Sequence, residues 1–131
     1  MTTTLKVLVY LIGGLFLLIG FAGLFSPEGF ASGMGLSFAS EEGAGTVRAM
    51  IGAHYVAMGG VCVFAMVRQQ PILLLPIATI ECVMVVARGI AAVNGEFGSS
   101  MLVATGIEVV AAIVLTTMAL RPEQGKEASS S

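Results

Sequence analysis

The chain has 131 residues, 56% of them hydrophobic and only 11% charged, with a formal net charge of -2 and a mean hydropathy of +0.97. A soluble domain carries about 25% charged residues, and a chain this short has too little interior to hide so much apolar surface, so the composition argues against a water-soluble domain. No basic stripe offers a footprint for nucleic acid. Cys62 and Cys82 both lie inside apolar runs and read as packing residues, forming neither a metal pattern nor a disulfide framework.

Lys6 precedes the first apolar run, Val7 to Phe25, and the first span is expected over about 5–25. That is long enough to cross a hydrocarbon core of about 30 Å. A cleaved signal peptide is the competing reading, but the run is long for one and no small-x-small site follows. Gly13, Gly14, Gly20 and Gly23 thin one side of this helix, as close helix packing in lipid requires. Ser26-Pro27-Glu28 stops the span, with Ser26 placed as N-cap and Pro27 as N1 of a short helix. The glycine-rich stretch Gly29 to Ser40 is too broken to span. It is expected either to dip Phe30, Met34, Leu36 and Phe38 into the headgroup region or to cap the bundle mouth.

Ser40 reads as the N-cap of the next helix, with Glu41 and Glu42 in its first turn, where the helix dipole favours anions. This second span, about 46–67, carries Arg48 near its start and His54 near its middle. Arg48, Gly52, Tyr55, Gly59 and Cys62 recur at helical spacing and share a face. Gly52, Gly59 and Gly60 suggest tight packing there. After the polar turn Arg68-Gln69-Gln70, Pro71 suits the first turn of the third span, about 72–93, and Pro76 is expected to kink it. Glu81 and Arg88, seven residues apart, share one face of that span. Asn94-Gly95 is a C-terminal stop, and Ser99 or Ser100 is expected to cap the fourth span, about 101–120, which contains Glu108. Residues 121–131 are polar and are expected to form a disordered tail.

These elements make an all-α fold, an integral membrane antiparallel four-helix bundle. Lys6, Arg68, Arg121 and Lys126 flank one side of the spans, while Glu28, Glu41, Glu42 and Glu96 flank the other. The positive-inside rule then puts both termini in the cytoplasm.

A charge within a span costs roughly 2.5–3.5 kcal/mol on insertion scales. Arg48, His54, Glu81, Arg88 and Glu108 are therefore expected to turn inward. Folding the antiparallel helices about Gln69 and Phe97 brings Arg48, Arg88 and Glu108 to one layer, and His54 to within a turn of Glu81. Opposite charges so placed neutralise one another, and arginine forms forked hydrogen bonds to a carboxylate. Glu81 is alternatively a neutral acid. Two readings stand side by side: a network that only specifies packing, and a polar pocket, ion site or proton path. No nucleophile–base pair, phosphate loop or metal-ligand cluster is visible, so neither an enzyme nor a cofactor is expected.

Val47-Arg48-Ala49-Met50-Ile51-Gly52, continuing to Ala57-Met58-Gly59-Gly60, resembles the R-a-m-y-G-G … l-G signature of domain-of-unknown-function family 4345, small four-span bacterial membrane proteins. Ala87-Arg88-Gly89 resembles its third-span G-R site, with the glycine after the arginine instead of before it. Gly106-Ile107-Glu108 resembles its fourth-span glutamate, and Pro27 the proline after its first span. The resemblance covers nearly the whole chain up to Leu120 and implies no assigned activity. It does not extend to His54 or Glu81. The family is also similar to the broader DoxX-like group, some members of which are linked to quinone-dependent sulfur oxidation.

The function expected from the residues is a small multi-pass inner-membrane protein whose Arg48–Glu108–Arg88 network forms a pocket for a polar or anionic ligand, such as a lipid headgroup. One alternative is an oligomer that moves a small solute or a proton, with Glu81 and His54 titrating. Another is an accessory subunit of a membrane redox complex, binding quinone near His54. Membrane lipids, a second copy or a membrane protein are the expected partners.

Overall fold

The computed structural model describes residues 3–40 and 42–121. Glu41 and the expected tail at 122–131 lie outside them. The described residues form α1 (Thr3–Phe25), α2 (Pro27–Gly33), α3 (Glu42–Val47), α4 (Ala53–Val67), α5 (Leu75–Val93) and α6 (Ser99–Ala119), with no strand among them. A π-helical turn, Arg48–Gly52, joins α3 to α4, and a 3-10 turn, Pro71–Leu74, leads into α5. Four helices are long and apolar enough to cross a membrane: Thr3–Phe25, Glu42–Val67, Pro71–Val93 and Met101–Ala119. The molecule is an all-α, multi-pass membrane protein.

The bundle is built as two helix pairs, α1 with α4 and α5 with α6, joined by α1 against α6. Glycines set the first pair. A Cβ on Gly20 would lie 2.5 Å from the Val56 backbone nitrogen, and one on Gly59 would lie 2.6 Å from the Gly13 carbonyl oxygen. Gly52 likewise meets the backbone of Gly23 and Leu24. With no hydrophobic force between helices in lipid, such backbone approach is what gives them affinity. Gly14 and Gly60, expected in the same seams, have open space around them.

Because the small face of the second span is spent on α1, it is not available to α5. Consecutive in the chain, α4 and α5 make little direct contact, and the 3-10 turn bridges α4 and α6 near their shared end. The core concentrates toward that end. Val9, Cys62, Ala65, Leu74, Leu115 and Met118 are almost wholly enclosed. Toward the other end, α5 is exposed at Val83, Val86, Ile90 and Val93.

The helix ends follow local chemistry. Gly95, in the left-handed region, lets Glu96 N–H donate to Ala91 O at 2.9 Å and Gly95 N–H to Ala92 O at 3.2 Å, which is the Schellman termination of α5. Asn94 itself stays right-handed. Gln69 at the end of α4 does the work of such a glycine, at φ 53°. Several local expectations are corrected. Ser26 occupies the N-cap position of α2 with Pro27 at N1, yet its hydroxyl makes no capping bond, and its N–H bonds back to Ala22 O. The N-cap of α6 is Gly98, not Ser99 or Ser100. The expected cap at Ser40 turns on Glu41, which lies outside the described residues; Ser40 O accepts from Gly43 N–H at 3.0 Å. Pro76 falls in the first turn of α5, where its missing N–H costs nothing. Finally, α2 folds against α1 and α3, burying Pro27 and Ala31 and leaving Met34 and Leu36 exposed.

Candidate functional site

The charged residues separate into one cluster and two outliers. Arg88 and Glu108 make a forked ion pair, with Nη2 to Oε1 at 2.9 Å and Nε to Oε2 at 3.2 Å. This is the planar geometry that makes arginine the natural partner of a carboxylate in low dielectric. The side chains are 22% and 6% exposed, so the carboxylate is sealed while the arginine stays partly accessible. The pair forms because α5 and α6 are antiparallel neighbours joined by a short turn.

Glu81 lies near the middle of Pro71–Val93, on the same helix as Arg88 but two turns away. It is 1% exposed, and neither carboxyl oxygen has a hydrogen-bond partner. Tyr55 of α4 stands within electrostatic reach of Glu81, Glu108 and Arg88, and Cys62 within reach of Glu81. The Tyr55 ring sits edge-on to Phe16 of α1, centroids 5.6 Å apart. Tyr55 and Cys62 read in the sequence only as packing residues. Their helical spacing with Gly59 was the available signal, since the face that meets α1 also borders this cluster.

Arg48 is not in the cluster. It is exposed, and its guanidinium donates to the Leu24 carbonyl at the end of α1. Two features move it. First, Arg48 lies with Gly52 against Gly23 and Leu24 at the end of α1, across a π-turn closed by Ala53 N–H to Arg48 O. Second, the expected layer assumed that α4 folds onto α5, whereas it folds onto α1. Arg48 thus satisfies one of the orphan carbonyls at a helix C-terminus, where cations are favoured. His54 does not meet Glu81 either. It is exposed, with its ring edge-on to that of Tyr55 at 6.3 Å.

The cluster is therefore one arginine with two carboxyls, not two arginines with two. Among the described residues no three His, Cys, Asp or Glu side chains converge as a metal site would need. Between α1 and α6 runs a groove of about 460 Å³ lined by Leu8, Leu11, Leu15, Val103 and Val110. It suits hydrocarbon and offers nothing to a polar group. Comparison with protein-family models, with curated proteins and with solved structures returned no match.

Proposed function

We propose that this is a non-catalytic multi-pass protein of the bacterial inner membrane, akin to the four-span family it resembles, that holds a polar ligand against the Arg88–Glu108 pair. The observation that carries the reading is the partial exposure of Arg88 beside a sealed carboxylate. An arginine has five N–H donors; two are committed to Glu108, and 22% of the side chain is accessible. A ligand with acceptor oxygens, such as a lipid headgroup or a small carbonyl or hydroxyl compound, matches those donors. With Arg48 elsewhere and Glu108 already neutralising Arg88, a multiply charged anion is a poor match.

The test is mass spectrometry of lipids and small molecules that co-purify with the native protein, Arg88→Gln and Arg48→Ala. The expected result is a ligand held by the native chain and by Arg48→Ala and lost from Arg88→Gln. No ligand on the native chain, or one that survives in Arg88→Gln, overturns the reading.

A transport role is a second reading, and Glu81 is what favours it. An enclosed carboxyl at mid-span with no partner is the kind of group found along proton and ion paths.

A further inference from the structure

Glu81 has no assigned partner in anything described above. Both its oxygens are enclosed and unbonded, in a side chain that is 1% exposed. An ionised carboxylate in that position would forfeit its hydration without a donor or counter-charge in return, which no buried ion tolerates without a large penalty. The neighbours do not supply compensation. From α6 comes Glu108, a second carboxylate already locked to Arg88. From α4 come Tyr55 and Cys62, neither hydrogen-bonded to Glu81. On its own helix, Arg88 turns to Glu108 and Cys82 is exposed. α1 brings Lys6 and Tyr10 as its titratable side chains, both near its start. Glu108, Arg88 and an ionised Glu81 would together leave one uncompensated negative charge in the membrane interior. A proton is the occupant that cancels that charge and needs no room.

We infer that Glu81 is a proton-binding site at the middle of the membrane, and that the two buried carboxyls divide their roles. Glu108 is bound to Arg88 and fixes the α5–α6 pair, while Glu81 carries an exchangeable proton between the two helix pairs. This inference stands apart from the ligand at Arg88. Loss of that ligand in Arg88→Gln has no bearing on whether Glu81 holds a proton, and the reverse is also true.

The experiment is infrared spectroscopy of the reconstituted full-length protein at neutral pH. The expected result is a carboxylic-acid C=O band in the native protein that shifts in D2O and is lost in Glu81→Gln, with circular dichroism showing that the variant keeps its helices. Labelling of the native membrane-bound chain with a hydrophobic carbodiimide, which adds to protonated carboxyls, reads the same group without a substitution. The peptide containing Glu81 gains the reagent mass and the peptide containing Glu108 does not. A native spectrum without the acid band, a band that persists in Glu81→Gln, or labelling that falls on Glu108 instead overturns the proposal.

Discussion

Arg88 and Glu108 show how a membrane interior accommodates charge. Each satisfies the other in a fork of two hydrogen bonds, so the pair is worth far less as a source of stability than either charge costs alone. Removing one partner strands the other in low dielectric, and the usual penalty is about 3–5 kcal/mol, whereas a well-packed apolar pair is often neutral or better. Glu108→Ala and Arg88→Ala are therefore each expected to lower unfolding stability by about that amount, while the double replacement Arg88→Met with Glu108→Leu recovers most of it. Denaturation in mixed micelles checks the comparison, and equal losses in the single and double variants would show that the pair acts through packing alone. At the same scale, Arg48 illustrates the other solution. Its long side chain carries the charge to a helix end, where a free carbonyl and accessible surroundings receive it.

For the elements, the decisive contact is the glycine seam between α1 and the second span. Gly20 and Gly59 sit where an added Cβ would overlap backbone atoms that cannot rotate away. Gly20→Ala or Gly59→Ala is expected to cost about 1–3 kcal/mol, the usual range for overpacking. Gly14→Ala and Gly60→Ala, with open space around them, are expected to stay within about 0.5 kcal/mol of the native protein. Thermal melts of the four variants in one detergent test the contrast, and similar melts across all four would place the seam elsewhere. The π-turn belongs to this scale too. Across it Gly52 presses against Gly23 and Leu24 while Arg48 reaches the Leu24 carbonyl, so both meet the same end of α1.

In the whole molecule, a third or less of each candidate span is buried. Much of the apolar surface therefore depends on lipid for cover, which is what a bundle in a bilayer permits and a bundle in water does not. The pairing α1–α4 and α5–α6 leaves its buried core around Leu74, Leu115 and Met118. The arrangement of basic turns gives the orientation proposed for it. In a chain whose Cys62 and Cys82 are replaced by alanine, a membrane-impermeant maleimide added outside is expected to label Glu96→Cys and to spare Gln70→Cys. The opposite pattern would invert the topology.

The all-α fold and its four long apolar helices were legible in the chain, because unbroken apolar runs of this length are most stable as helices. The meeting of Arg88 with Glu108 was legible too, since a short turn forces α5 and α6 into register and leaves little freedom at that depth. Which neighbour the second span chooses was not legible. Its glycines match any thin face equally well in sequence, and only the fitted backbones of α1 and α4 select one. That choice moved Arg48 to a helix end, left His54 uncovered and isolated Glu81, consequences that hydrophobic periodicity does not encode because a one-residue π insertion and a helix-pair preference both act in three dimensions.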